Sequence, residues 1–169
     1  MSHVDLSRIP DFYHRYVHRV SADDLPTALA KHVTNFIPLL QSLPEEKWSY
    51  AYASGKWTIK ELVQHVIDAE RILACRALRF ARKDQTPLPG FDEDHYALHS
   101  KANNRKPADL LKELELVQQS TTAMFNSFDD EQLNQTGEGN GKSFYVKGLA
   151  YIIMGHAMHH RGVMEERYL

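Results

Sequence analysis

The amino-acid sequence reads as all-α: a four-helix bundle with a short extra N-terminal helix and a long connection between the second and third long helices. Four long segments repeat apolar residues at three- and four-residue steps, the period of a helix with one buried face. No segment sustains the strict alternation of a half-buried strand. A chain of 169 residues is also long enough to bury roughly 68–70% of its unfolded surface without a disulfide or a structural metal. One domain over residues 1–169 is expected, with residues 1–23 as a peripheral segment.

Within that segment, residues 9–20 predict a short helix. The first long helix covers about residues 24–43, where Leu25, Leu29, His32, Phe36 and Leu39 share a face. Pro38 lies inside it and lacks a backbone N–H, so a kink or break is expected within 34–38. The second long helix has the clearest start. Thr58 and Glu61 match a capping box, each side chain satisfying a free N–H of the other, and Trp57 and Leu62 occupy the staple positions around it. Its pattern continues through Ile72 and Leu73 to about residue 82. The third begins near Pro107, which suits a first helical turn, and carries the stripe Leu110, Leu114, Val117, Thr121, Met124 and Phe128. The fourth is expected to begin near Ser143, an acceptable N-cap, and to run almost to the C-terminus. Residues 84–106 link the second and third helices through Pro87-Leu88-Pro89-Gly90 and a short helix around 92–98. A connection of that length in a compact domain points to a functional role.

Composition excludes several classes of function. Lys and Arg number 20 against 22 Asp and Glu, for a formal net charge of −2 and a pI near 6.5. That balance lacks the dense positive field needed to grip nucleic acid regardless of sequence. A single cysteine, Cys75, cannot form an internal disulfide and fits a reducing compartment; it reads as a structural thiol. No apolar run reaches the ~18 residues of a membrane span. The first five residues lack a basic-then-apolar signal region. A cytoplasmic protein that acts on a small molecule is expected, with neither nucleic acid nor membrane as partner.

Ten histidines stand out, because His is the commonest metal ligand. Three pairs are four residues apart: His14/His18, His95/His99 and His156/His160. The first pair lies opposite the apolar side of its segment (Phe12, Tyr13, Tyr16, Val17, Val20) and is expected to face water. The second flanks a weak stripe and reads as a surface or site-flanking pair. The third continues the line Leu149, Ile152, Ile153, His156, His160, Val163, in the middle of an apolar face, whereas His159 falls toward its edge. His65 points inward on the second helix with Leu62, Ala69 and Ile72. Glu61 and Asp68, four before and three after it, are either solvated helix charges or groups that orient its ring. His32 is also inward, as a core histidine or a cavity-lining one. Facing helices are where bundles build metal sites, so His65, His156 and His160 are either satisfied core residues or one metal site.

The run Trp57-Thr58-Ile59-Lys60-Glu61-Leu62-Val63-Gln64-His65-Val66-Ile67-Asp68-Ala69-Glu70 resembles the second-helix signature of the DinB/YfiT-like superfamily. Gly155-His156-Ala157-Met158-His159-His160-Arg161-Gly162 resembles its C-terminal signature, and Pro89-Gly90-Phe91-Asp92-Glu93 the loop after helix two in YfiT-type members. The similarity covers about residue 24 to the end. It implies a four-helix bundle holding one divalent metal, nickel or zinc ahead of iron or manganese, on three histidines that match His65, His156 and His160. It also implies a homodimer. Val163 stands where many relatives have Gln, and Ala157 where the residue is often acidic, so the surroundings of the ligand set depart from the family pattern.

Three neutral imidazoles would leave such an ion its full charge and an open position. The glutamate of an HExxH protease is missing, since position 157 is Ala, which disfavours that peptidase chemistry. Because several members of the family use thiols, the resemblance implies an S-transferase that activates a low-molecular-weight thiol as cosubstrate. The alternatives are a hydrolase using metal-activated water, with Asp92 or Glu93 as base, and a non-enzymatic metal-binding stress protein.

Overall fold

A computed structural model of the protein describes residues 3–169. Four long helical elements close a ring: α2 (Leu25–Asn35) continued by α3 (Ile37–Gln41), α4 (Ile59–Ala81), α6 (Pro107–Asn126) and, after the short α7 (Asp130–Asn134), α8 (Val146–Arg167). α4 packs against α6 and α8, and α2 packs against the same two, so α2 and α4 are diagonal neighbours. No helix among the described residues is long and apolar enough to cross a membrane.

Local chemistry sets most of the boundaries. Asp24 caps α2 by accepting a hydrogen bond from Thr27 N at 2.9 Å. The expected break occurs at Phe36, two residues before Pro38. The Thr58–Glu61 capping box forms in both directions, with Thr58 N to Glu61 Oε2 at 2.8 Å and Glu61 N to Thr58 Oγ1 at 3.2 Å. α6 begins at Pro107. The short helix of the long connection is α5 (Glu93–His99), capped by Asp92.

Two expectations are corrected. α8 starts at Val146 rather than near Ser143, which lies in an antiparallel hairpin of β1 (Thr136–Gly139) and β2 (Lys142–Tyr145). Asn140 and Gly141, at φ 53° and 68°, make its two-residue turn, the left-handed pair that matches strand twist. The N-terminal segment is not peripheral. Val4, Ile9, Tyr16 and Val17 are buried, and α1 (His14–Val17) lies on α8. Residues 1 and 2 of that segment lie outside the described residues. The linking segment is also anchored, with Leu88 N donating to Glu138 O, Asn140 N to Leu88 O, and Arg76 Nη2 to Pro89 O.

The apolar interior falls into two clusters, and polar side chains mark the passage between them. One gathers Leu29, Leu73, Phe125 and Ile153; the other Phe36, Val66, Val117 and Ala157. Between these levels each long helix carries buried polar groups: His32 on α2, Glu70 on α4, Gln118 and Thr121 on α6, His156 on α8. His32 therefore belongs to the core, and its Nε2 lies 3.1 Å from both Glu70 carboxylate oxygens, bridging the two diagonal helices. His32 is 4% exposed and Glu70 2%, so neither is satisfied by solvent if its partner is lost. Removing one member of such a buried pair typically costs about 3–5 kcal/mol. Chemical denaturation of His32→Ala is expected to show a loss of that size; a change within ~0.5 kcal/mol, the range of an ordinary surface substitution, would contradict the bridge.

Candidate metal centre

Two helices build the site. The capping box fixes the start of α4, which places His65 on the second turn among buried Leu62, Val66 and Ala69. α8 presents His156 and His160 one turn apart on the face that packs against α4. His156 Nε2 lies 3.1 Å from His65 Nε2 and 3.1 Å from His160 Nε2, and the three candidate donor atoms are all within 4.8 Å of one another. These are the three histidines that the inward-facing pattern selects.

The donor chemistry fits a divalent transition metal. A neutral imidazole has one N–H and one lone pair, so His156 Nε2 cannot make a full hydrogen bond to both neighbours. A cation would instead take one lone pair from each ring. At metal–nitrogen distances of ~2.0–2.1 Å, tetrahedral donors stand about 3.3 Å apart, close to the two 3.1 Å separations from His156 Nε2. His160 Nδ1 is buried with no hydrogen-bond partner among the described residues.

Burial keeps the rings uncharged. It pushes His65 down to about 4, an effect that the Asp94 carboxylate partly opposes. Burial also holds His156 and His160 well below the usual imidazole range, with neighbouring histidines and then Arg15 adding to it. Aromatic rings wall the cluster. Trp57 lies 4.8 Å from the His65 ring, centroid to centroid, and Tyr16 lies 5.3 Å from His156 and 5.2 Å from His159. Gly155 permits that approach: a Cβ there would stand 2.0 Å from the Tyr16 carbonyl oxygen.

The remaining candidates are not part of the donor group. His159 is half-buried against Tyr16, outside the donor cluster. His95 and His99 stack at 4.1 Å on exposed α5. His18 is exposed, as expected, but His14 is half-buried and its Nε2 lies 3.0 and 2.9 Å from the Leu6 and Ile9 carbonyls, because the chain before α1 folds back over it. Cys75 is an exposed thiol, not a structural one. Glu61 is committed to the capping box, and Asp68 accepts from Gln64 Nε2, so neither orients His65. Asp92 caps α5 and Glu93 is exposed; the carboxylate that influences His65 is Asp94, which sequence reasoning missed together with Tyr16 and Arg15. Their places depend on how distant segments fold back, and no local pattern reports that.

Comparison with known proteins places this arrangement. The family model of the DinB superfamily matches residues 28–164. A candidate metal-dependent hydrolase of Oceanobacillus iheyensis is 30% identical over 99 residues, covering 57% of this chain and 56% of that protein. Among solved structures, YfiT of Bacillus subtilis, described as a candidate metal-dependent hydrolase with an unusual four-helix bundle topology, superposes with a TM-score of 0.72. It shares 16% identity over 84% of this chain and 82% of its own. A mycothiol-dependent maleylpyruvate isomerase gives 0.69 at 12% identity, over 86% of this chain and 61% of that one. A DinB-like protein of Bacillus subtilis gives 0.62 at 17%, over 85% and 88%. These structural likenesses concern the fold.

The depressed histidines predict the pH response of the metal-free protein. Unfolded imidazoles take up protons near 6.5, whereas folded His65 does so only near 4, and burial likewise holds His156 and His160 well below 6.5. The unfolded state therefore binds more protons below pH 6.5, and the contribution of these rings to stability is lost as pH falls from there through 4. Melting temperatures measured in chelator should decline through that window and decline less steeply for His156→Phe. Identical slopes would contradict the buried neutral cluster.

Proposed function

The chain belongs to the DinB superfamily, and on that footing we propose that it is a metal-dependent enzyme transferring a low-molecular-weight thiol to a small electrophile. In this reading His65, His156 and His160 hold one divalent transition-metal ion, nickel or zinc. The observation that supports it is the donor set: three uncharged ring nitrogens meet at one point with no carboxylate in hydrogen-bond contact among the described residues. A bound dication with three neutral ligands supplies its full charge to acidify an incoming thiol. The protein's own residues do the rest. Burial keeps the imidazoles in the neutral, donating form at physiological pH. Trp57 and Tyr16 cover the rings with apolar surface and limit water, which strengthens charge interactions at the cluster.

The missing contact base favours sulfur over water. A thiol begins at a pKa of about 8.5 and water is a far weaker acid, so a thiol reaches its reactive anion with less help. The new carbon–sulfur bond forms as the bond to the leaving group breaks, and the thiol proton passes to solvent. The mycothiol dependence in the name of the superposed isomerase agrees with this choice of nucleophile.

One observation favours a second reading, hydrolysis. Asp94 is the acidic group whose charge is felt at His65, which makes it the best-placed base for a water. The names of the Oceanobacillus and YfiT relatives point the same way.

A single set of assays separates the two. Zinc- and nickel-loaded protein is incubated with cysteine, glutathione or coenzyme A and monobromobimane, and in parallel with a p-nitrophenyl ester. S-transfer predicts conjugation that requires metal, disappears in His160→Ala and is unchanged in Asp94→Asn. Ester hydrolysis without thiol turnover, lowered about 100-fold or more in Asp94→Asn as expected for loss of a general base, would replace it with the hydrolase.

A further inference from the structure

Beside the histidine cluster stands a cation with no assigned role. Arg15, on α1, is exposed, and its guanidinium lies over two aromatic rings, 4.2 Å from the Phe12 centroid and 4.7 Å from that of Tyr16. Arg15 Nη2 donates to the Tyr16 hydroxyl at 2.7 Å. Tyr16 is buried, and its ring meets His156 edge-on at 5.3 Å. One aromatic ring therefore separates the guanidinium from a candidate metal ligand.

Arg15 forms no ion pair among the described residues, as is also true of Arg8, Arg19, Arg76, Arg82 and Arg167; what sets it apart is its place over Tyr16, the ring that meets His156. A guanidinium has five donors in a planar fork, and the Tyr16 hydroxyl occupies one. Clamping between two rings also lowers the conformational freedom lost when a ligand is gripped. Its position is fixed from below, because the Tyr16 carbonyl rests on Gly155, the residue before His156. Anchor and cluster are thus tied to the same turn of α8.

We propose that Arg15, steered by Tyr16, binds the carboxylate of the substrate or thiol cosubstrate, so that the site takes a small molecule with a carboxylate a few bonds from the atom that meets the histidine cluster. One guanidinium neutralises one carboxylate, and its fork matches the two carboxylate oxygens. This assignment rests on the metal reading of His65, His156 and His160. It holds for either nucleophile, since a thiol acid and a hydrolysable acid derivative present the same anion.

Hydroxamic acids test it, because the hydroxamate head binds an open metal position whichever reaction the enzyme performs. Succinic monohydroxamic acid carries a terminal carboxylate, and its terminal amide is a near-isosteric neutral control. Calorimetric titration into zinc-loaded protein should show the acid binding about tenfold more tightly than the amide, the scale of one charge-assisted hydrogen-bonded contact. Arg15→Ala should erase that preference while leaving amide affinity and zinc content unchanged, and Arg15→Lys should retain part of it. Equal affinity of the two probes in the unaltered protein would overturn the proposal, as would an Arg15→Ala variant that keeps the preference or weakens both probes alike. Zinc content of the same samples identifies the separate failure in which the metal reading itself is wrong: zinc does not load, neither probe binds, and the anchor assignment falls with it.

Discussion

Three imidazole nitrogens meeting in the seam between α4 and α8 impose the tightest condition on this fold. A ring nitrogen removed from water needs a partner, and an unsatisfied one costs free energy. His156 faces two other rings at 3.1 Å, so the cluster is coherent only if the rings are neutral and both helices hold their phase. A one-residue slip would rotate a ring by about 100° around its helix. The Thr58–Glu61 box fixes where α4 begins, and the β2 strand feeds directly into α8 and sets its first residue.

The rest of the molecule supports that seam. Each long helix is apolar at two levels and polar between them. His32 and Glu70 join the diagonal helices at this polar level, which also carries His156. The buried bridge specifies which residues lie opposite one another, a role buried polar groups play in other helical assemblies. The N-terminal segment closes one side of the site: α1 crosses α8 where Gly155 leaves room, bringing Tyr16 against His156 with Arg15 behind it. A segment expected to be peripheral thereby becomes part of the wall of the site.

What could be read in the sequence follows the range of the interactions. Features decided within a few residues are legible: the capping box, the break before Pro38, the start at Pro107 and the short helix after Asp92. The histidine trio is legible because helical phase alone turns those rings inward. The hairpin is less so. Asn140-Gly141 is a strong local turn signal, but each strand is only four residues long and β1 carries two glycines, so alternation is too brief to register. Glu70 as the partner of His32, Asp94 near His65 and Tyr16 against Gly155 depend on contacts between segments distant in the chain. Periodicity cannot report such contacts.

X-ray absorption spectroscopy on zinc-loaded protein tests the histidine cluster without reference to any substrate. Three imidazole donors at ~2.0–2.1 Å with at least one further light-atom ligand is the predicted coordination, and substituting any one of His65, His156 or His160 should reduce the imidazole count. Zinc held by carboxylates, or the same shell after His65 is replaced, would contradict it.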